Sequence, residues 1–241
     1  MKFSTIIFIL LNGLLILTDA QGQNPHKIKL GLVASPDYTF RYLNPINASR
    51  SDKASLRFRV GVNIEYELSN YFTLRSGIRY VNSGFVSSTD LANLTFSEMY
   101  DLRGLFIFPT SSSPYSFEVS YHDHLIELPL VLKYFPFKTQ NGFHINGGLS
   151  ILYFYRSSGS ITSDNPKMAK QYEYSVHSPS PIISVNAGIG YENYLTDKYF
   201  FSLDILYRRN LTNPIPNSSY FAAENIYSLG MEVGLGMLLK K

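Results

Sequence analysis

The sequence predicts an all-β fold: an eight-stranded antiparallel up-and-down transmembrane β-barrel, preceded by a cleavable signal peptide. Three observations lead to this prediction. Apolar and polar residues alternate at period 2 along most of the chain, which is typical of strands with one apolar face. The alternating segments are longer than the roughly 5–6 residues of an average strand in a soluble protein. Tight turns and long polar connections follow one another in alternation, as is typical of transmembrane barrels.

The composition excludes several classes of protein. The chain has 241 residues, of which 45% are apolar and only 16% charged, whereas a soluble domain has about 25% charged residues. The net charge of +3 comes without a basic cluster, so the sequence gives no indication of nucleic-acid binding. The chain has no cysteine, which excludes a disulfide framework, a thiolate metal site and a cysteine nucleophile.

The N-terminus has the organisation of a secretory signal. Lys2 is followed by an apolar run from Ile6 to Leu17, and Thr18-Asp19-Ala20 is a plausible cleavage site. The run is shorter than the roughly 20 residues that a membrane-spanning helix needs, although an uncleaved N-terminal anchor is the alternative. We therefore expect residues 1–20 to be a signal peptide and residues 21–241 to form one barrel domain.

The mature chain contains eight alternating segments. In the last of them, Tyr227, Leu229 and Met231 lie on one face and Ser228 and Gly230 on the other. The eight segments are 28–34, 58–66, 72–80, 126–134, 143–155, 183–191, 199–207 and 227–237. Several have about ten residues, and a tilted strand of that length crosses the apolar core of a bilayer.

The connections between the segments divide into two kinds. Tight turns are expected around Ser69-Asn70 and Thr196-Asp197, with a short polar connection from Phe135 to Gly142. Long segments rich in Ser, Asn, Pro and Asp occupy 39–55, 85–121, 157–179 and 210–224, and we interpret them as irregular loops. With an even number of strands and a periplasmic N-terminus, every long segment falls outside the cell.

The apolar faces end in aromatic residues, a pattern that favours a lipid-facing exterior over the core of a soluble sandwich. Tyrosine at both ends of transmembrane strands forms the girdle at the polar boundaries of the bilayer. The predicted girdle consists of Tyr66, Phe72, Tyr80, Tyr134, Tyr153, Tyr155, Tyr191, Tyr199 and Tyr207.

The opposite faces carry small residues and charges of both signs, which suits a narrow, filled interior. An eight-stranded barrel is only wide enough for side chains to fill it, and buried charges are tolerated only when they are paired. We therefore expect an interior charge network of Arg57, Arg59, Glu65, Arg75, Arg79, Glu127, Lys133, Arg156, Glu192, Asp204, Arg208 and Glu232, with Lys29 and Glu67 as further members. A second interpretation is that the arginines toward the outer end line a vestibule that attracts anions such as lipopolysaccharide phosphates.

The segment "HLIELPLVLKYFPF", from His124 to Phe137, places a proline inside a predicted strand. Ile126, Leu128, Leu130, Leu132 and Tyr134 would face lipid, and Glu127, Pro129 and Lys133 would face inward. Because proline cannot donate a ladder hydrogen bond, we predict a β-bulge or a local bend at Pro129.

No catalytic, cofactor-binding or metal site is predicted. His122 and His124 lie on one face of an extended segment, but the sequence offers no third ligand, and we interpret them as polar residues at the start of a strand. No G-x-S-x-G motif is present, so the sequence gives no sign of a nucleophile elbow.

Three segments resemble the eight-stranded outer-membrane β-barrel domain family of Bacteroidetes-type Gram-negative bacteria, many of whose members are called PorT-like. They are "IELPLVLKYFPF" (126–137), "GFHINGGLSILYFY" (142–155) and "SVNAGIGYE" (184–192). The resemblance covers roughly residues 26–241. It implies location in the outer membrane and a role in secretion, adhesion or envelope stability. The chain departs from such barrels by ending in "MLLKK" and not in an aromatic residue.

The leading functional hypothesis is a non-enzymatic outer-membrane barrel with a structural or interaction role, whose specificity lies in its long outer loops. The alternatives are a narrow channel or transporter, a membrane-embedded hydrolase and a soluble lipocalin-like ligand-binding barrel. The expected partners are outer-membrane lipid and lipopolysaccharide, together with other envelope or secretion proteins. No cofactor and no nucleic acid are expected.

Overall fold

The computed structural model describes residues 28–44, 50–90, 116–137, 142–163, 170–174, 181–212 and 223–239. The predicted signal peptide at 1–20, most of the segment 85–121 and the final two lysines lie outside these residues. The eleven strands are β1 (Ile28–Asn44), β2 (Arg50–Lys53), β3 (Ser55–Glu67), β4 (Phe72–Ser83), β5 (Val86–Asp90), β6 (Ser116–Tyr134), β7 (Gly142–Ser163), β8 (Lys170–Tyr174), β9 (Ile182–Tyr194), β10 (Tyr199–Asn210) and β11 (Ala223–Leu239). Among the described residues, no helix is long and apolar enough to span a membrane.

Eight of the eleven strands form the predicted closed antiparallel barrel. Its strands are ordered β1-β3-β4-β6-β7-β9-β10-β11, so each pairs with its neighbours in sequence. The barrel closes between β1 and β11, where the register runs from Ile28 opposite Leu239 to Asn44 opposite Ala223. Both described ends of the chain therefore lie at the same rim, as expected for an even number of strands.

The alternation of the sequence places one face of each strand outward. On β3, Val60, Val62 and Ile64 are exposed, whereas Arg59 and Glu65 on the opposite face are buried. An exterior row of exposed aliphatic side chains would be unfavourable in water but is the expected surface of a barrel in lipid.

We call the rim at which Ile28 and Leu239 lie the lower rim, and the opposite one the upper rim. Two tight turns at the lower rim have the same local construction. Between β3 and β4, the Ser69 hydroxyl accepts hydrogen bonds from the amides of Tyr71 and Phe72, each at 3.2 Å. Between β9 and β10, the Thr196 hydroxyl accepts from the amides of Lys198 and Tyr199 at 3.2 and 3.1 Å. A hydroxyl that caps turn amides makes a short connection stable, so both sequence-predicted turns have a clear physical origin.

All four segments interpreted as loops are partly strand, three of them extensively, which corrects that prediction. β1 continues to Asn44, β6 begins at Ser116 and β7 continues to Ser163. The short strands β2 and β5 pair with each other, β5 pairs with the upper part of β6, and β8 pairs with the upper part of β7. Strands β2, β5 and β8 and the upper parts of β6 and β7 thus form a sheet above the barrel, which we call the β-extension.

The proline in β6 interrupts the ladder without producing a bulge. Pro129 lies opposite Ser150 of β7 in an unbroken register. On the β4 side, the register includes Ser76 opposite Leu130 and Arg79 opposite Glu127, with the two positions between them unpaired and no shift. The Ser76 hydroxyl donates to the Pro129 carbonyl at 2.9 Å. Of the two predicted alternatives at Pro129, a bulge or a local bend, the bulge is therefore wrong, because a missing donor needs only a local gap in pairing.

The bulge lies higher up, on β7. The register places Leu125 opposite Phe154 but His124 opposite Arg156, so Tyr155 is the extra residue. Below this point the even-numbered residues of β7 face inward, whereas above it the odd-numbered residues do. This change determines the direction in which Arg156 points.

Candidate functional site

Most of the predicted interior charges converge on the barrel axis. Eleven of the twelve residues first predicted for the interior network are buried, as are Lys29 and Glu67, although Arg57 lies apart from the rest. Opposite charges from strands that are far apart in sequence meet there, because every strand contributes its polar face to one narrow lumen. The candidate site is this network, and it has three layers.

The layer nearest the lower rim is built around two lysines. Lys29 Nζ lies 2.5 Å from Glu192 and 3.3 Å from Glu67. Lys133 Nζ lies 2.6 Å from Glu192 and 2.9 Å from Glu65. Glu192 therefore connects β1 with β6 across the lumen.

The middle layer is built around Arg75. Its guanidinium contacts Glu65 at 2.7 Å, Asp204 at 3.0 Å and Glu232 at 3.1 Å. Arg79 lies four residues further along β4 and contacts Glu232 at 2.8 Å. Two arginines of one strand thereby bind carboxylates of β3, β10 and β11.

The upper layer joins two arginines through one shared carboxylate, that of Asp37. Arg59 pairs with Asp37 and with Glu127, the latter at 2.8 Å. Arg208 contacts Asp37 at 3.0 Å and Glu232 at 3.2 Å. Because Glu232 also belongs to the middle layer, the two layers form one continuous network.

Two members of the network were not among the predicted charges. His144 is fully buried, and its Nε2 lies 2.6 Å from Asp204 Oδ1. Asp37 was missed because the first strand was predicted to end near Ser35. The signal was present in the sequence, since exposed Tyr38 and Phe40 continue the alternation past Asp37.

The network is nearly balanced in charge. Among the described residues it contains seven carboxylates and six lysine or arginine cations. The carboxylates are Asp37, Glu65, Glu67, Glu127, Glu192, Asp204 and Glu232, and the cations are Lys29, Arg59, Arg75, Arg79, Lys133 and Arg208. Such mutual pairing offsets the cost of burying charge.

An apolar cluster faces the lumen beside the upper layer of the network and was not expected. Val81, Leu125, Leu152 and Ile182 pack together, with Phe154 against them. We call these five residues the apolar collar. It lies on β4, β6, β7 and β9, and four of its residues line a small lumenal cavity together with Arg59 and Arg208.

Arg57 lies at the outer mouth, apart from the network. It donates to the Tyr121 carbonyl at 2.9 Å and contacts His122 Nδ1 at 3.0 Å. These contacts span from β3 to β6 above the end of β4, next to the bend at Gly84, which has a φ of 142°. At that bend a Cβ would lie 2.0 Å from the Tyr121 carbonyl oxygen, so only glycine fits.

Arg156 is exposed on the outside of the barrel, which corrects its predicted place in the interior. Strict alternation from Leu152 and Phe154 would point it inward. The extra residue Tyr155 shifts the parity, so Tyr155 and Arg156 both face outward and Ser157 is buried.

All nine predicted girdle residues are outward-facing, in two groups. The lower group is Tyr66, Phe72, Tyr134, Tyr191 and Tyr199, and the upper group is Tyr80, Tyr153, Tyr155 and Tyr207. Phe72 and Tyr134 are in ring contact, with centroids 5.2 Å apart. On β4 the two groups are eight residues apart, from Phe72 to Tyr80, or about 20 Å across the membrane for a strand tilted by about 40°, which is close to the roughly 25 Å apolar band of such barrels.

The described part of the chain contains no cluster of metal-ligating side chains. No group of three or more histidine, aspartate or glutamate residues in the described ranges could hold a metal ion. His122 contacts Arg57, whereas the Tyr80 hydroxyl hydrogen-bonds His124 Nδ1, so the two imidazoles of the His-Asp-His segment have different partners. The ion pairs of the network connect strands that are distant in sequence, and their side chains occupy the lumen.

Several solved structures have a similar fold at low sequence identity. Neisserial surface protein A is 12% identical, with a TM-score of 0.41 over 88% of this chain and 98% of that one. Ail of Yersinia pestis is 10% identical, with a TM-score of 0.39 over 89% and 97%. A major outer membrane protein of Thermus thermophilus is 12% identical, with a TM-score of 0.44 over 90% and 100%. At these scores the similarities carry no argument about function.

No curated protein matches the chain. A family model does: the one described as outer membrane protein β-barrel domain matches residues 20–215, which is most of the chain. Together with the closed barrel and its apolar exterior, this match places the protein in the outer membrane of a Gram-negative bacterium. The chain belongs to the family of outer membrane protein β-barrel domains.

Proposed function

We propose that the protein is a non-enzymatic outer-membrane barrel that carries the β-extension outside the cell for contact with other molecules, in adhesion or as a secretion accessory. The observation that carries this proposal is strand length. β6 has 19 residues and β7 has 22, whereas about 9–11 residues cross a bilayer. The surplus of both strands is paired above the upper aromatic group.

The filled interior supports an anchoring role for the barrel itself. Paired charges occupy the lumen from Lys29 to Arg208, and the apolar collar packs beside their upper layer. A lumen of this kind holds strands in register. The surfaces left for recognition are therefore those of the β-extension and of the barrel exterior.

The PorT-like resemblance favours the secretion role, and the extended outer strands favour adhesion. Both are tested by a variant in which Ser83 is joined to Asp123 by a two-residue turn. This variant lacks β5 and the upper part of β6 but keeps the barrel strands. We expect the variant to migrate as a folded barrel. Cells that carry it should lose either attachment to host-cell monolayers or secretion of protein into the medium, to the same extent as cells in which the gene is deleted. Unchanged attachment and unchanged secretion would contradict the proposal.

A narrow channel is the second candidate from the sequence. Ion conductance in planar bilayers tests it, with an open porin in the same membrane as the positive control. We expect no conductance from the folded protein, because ion pairs cross the lumen between strands that are not neighbours in all three layers of the network. Discrete openings of the purified barrel would favour the channel instead.

The last alternative from the sequence, a soluble lipocalin-like barrel, is wrong for this chain. The family match assigns it to the outer membrane. The barrel is also inverted relative to a soluble one, since exposed Leu32, Leu130 and Leu149 lie outside and the charged residues lie inside.

A further inference from the structure

The β-extension meets the barrel at an interval in which one ladder of the sheet is interrupted. The ladder between β3 and β4 ends at Phe58 opposite Asn82, and the ladder between β2 and β5 begins at Lys53 opposite Val86. The interrupted interval, which we call the junction, consists of residues 54–57 and 83–85. Other contacts must therefore hold β3 in place at this level.

The side chain of Arg57 crosses the junction from β3 to β6. Its Nη2 donates to the Tyr121 carbonyl at 2.9 Å, and its Nη1 lies 3.0 Å from His122 Nδ1. The side chain passes directly over the bend at Gly84, where a Cβ would lie 3.4 Å from Arg57 Nε. Two side-chain contacts thus connect β3 with β6 where ladder hydrogen bonds are missing.

The contacts of His122 determine which of its nitrogens carries the proton. A guanidinium has only donors, so His122 Nδ1 accepts from Arg57. The proton then lies on Nε2, which is 3.3 Å from the Ser120 hydroxyl and donates to it. The junction therefore requires the neutral Nε2–H form of the ring. A second proton, on Nδ1, would set two donors and two positive charges against each other.

His122 lies outside the apolar band of the barrel. It is four residues beyond Ile126, which lies opposite both Tyr80 and Tyr153 of the upper aromatic group. Four residues of a strand tilted by about 40° rise by about 10 Å. The ring is half-buried, so water and protons from outside the cell reach it.

The charged groups near His122 act on its protonation in opposite directions. Burial, Arg57 and His124 lower the pKa of His122 below its ordinary value of 6.5, whereas Asp123 raises it. Within the described residues Arg57 forms no ion pair, so no carboxylate in direct contact would offset its repulsion of a protonated ring. Farther away on the neighbouring strands lie the charged side chains of Arg41, Asp52, Lys53, Glu118 and Arg156.

We propose that the contact between Arg57 and His122 is a pH-sensitive connection at the base of the β-extension. At neutral pH it links β3 with β6 across the junction, and at acidic pH protonation of His122 breaks it. Because the pKa of His122 is lower in the closed junction than in an open one, the stabilisation is complete above about pH 6.5 and is lost as the pH falls through the lower value. The proposal does not depend on a role of the β-extension in adhesion or secretion.

Amide hydrogen exchange of the purified barrel, resolved by NMR in detergent micelles, tests the proposal. The reporter is the Tyr121 amide, which donates to the Phe85 carbonyl inside the junction at 2.9 Å. Its protection factor is corrected for the intrinsic pH dependence of exchange. We expect this factor to fall about tenfold between about pH 7.5 and about pH 5, the effect of losing roughly one hydrogen bond to a charged group.

Two asparagine variants separate His122 from its neighbour. His122→Asn places an amide oxygen where Nδ1 accepts and cannot titrate, so its protection factor should be the same at both pH values. His124→Asn is the matched control, because the partner of His124 Nδ1 is the Tyr80 hydroxyl and not Arg57. This control should show the pH dependence of the wild type.

Three results would overturn the proposal. A wild-type protection factor that does not change with pH would show that the junction does not respond to acid. A fall that persists in His122→Asn, or that disappears equally in His124→Asn, would assign the response to another group. Nitrogen NMR of the imidazole rings needs no variant and keeps the proposal testable should His122→Asn fail to fold. We expect the Nε2–H form of His122 at neutral pH, and an Nδ1–H or doubly protonated ring is the third contradicting result.

Discussion

Glu232 has the most arginine partners of any carboxylate in the described network. Its oxygens lie 3.1 Å from Arg75, 2.8 Å from Arg79 and 3.2 Å from Arg208. Three guanidiniums on two strands share this single anion on β11. Its removal would leave these three buried guanidiniums without the anion that they share.

Replacing Glu232 by Gln should therefore lower the free energy of unfolding by about 3–5 kcal/mol, the usual effect of breaking a buried charge cluster. The measurement is urea-induced unfolding in lipid vesicles. Glu118→Gln is the control, because Glu118 pairs with Lys53 on the exposed surface and such pairs contribute about 1 kcal/mol or less. Equal effects of the two substitutions would show that the interior pairs contribute no special stability.

At the residue scale, sequence reasoning succeeded where alternation is unbroken. Arg75 and Lys133 could be assigned to the interior because their strands alternate without interruption. It failed at Arg156, since nothing in "YFYRSS" marks which residue is the extra one. His144 was placed on the polar face but not among the charges, because its partner Asp204 lies on a strand that only the fold brings near.

At the scale of single elements, β7 consists of two regular stretches joined by one irregular position. Below the bulge, Leu152 and Phe154 face inward; above it, Ser157 does. The register on either side is regular. The extra residue is therefore needed for the outward placement of two consecutive side chains but not for the pairing of the strand.

Deletion of Tyr155 should accordingly be tolerated. The shortened strand alternates without a bulge, with Phe154 inward, Arg156 outward and Ser157 inward. Deletion of Leu149, in the regular part of the same strand, should prevent folding, because it turns every residue on one side of the deletion to the wrong face. The fraction that migrates faster when unboiled measures folding. Comparable folded fractions for the two deletions would contradict the assignment of the bulge.

The strand cores were predictable and their upper ends were not, for a physical reason. Inside the bilayer one face must be apolar, so Val60, Val62 and Ile64 reveal β3. Above the bilayer that requirement ends, and the serine-rich upper part of β7 reads as a loop although it pairs fully with β6. Pairing with β8 completes its ladder on the other edge, which no local pattern indicates.

At the scale of the whole molecule, the barrel combines an apolar exterior that faces lipid, an ion-paired interior and a sheet outside the membrane. Closure between the first and the last strand is what makes this arrangement possible, because an open edge within the bilayer would leave backbone groups unpaired. The seam pairs Leu32 with Leu235 on the outward face, and further up it pairs Tyr38 with Leu229.

Disulfide cross-linking across this seam tests the closed barrel most directly, because the native chain has no cysteine. Leu32→Cys with Leu235→Cys places two thiols at directly opposite positions. We predict rapid cross-linking on mild oxidation in membranes. The control, Leu32→Cys with Leu229→Cys, separates the thiols by six residues, about 20 Å along the strand, and should remain uncross-linked. Absence of cross-linking in the first pair, or equal cross-linking in both, would contradict the closed eight-stranded barrel.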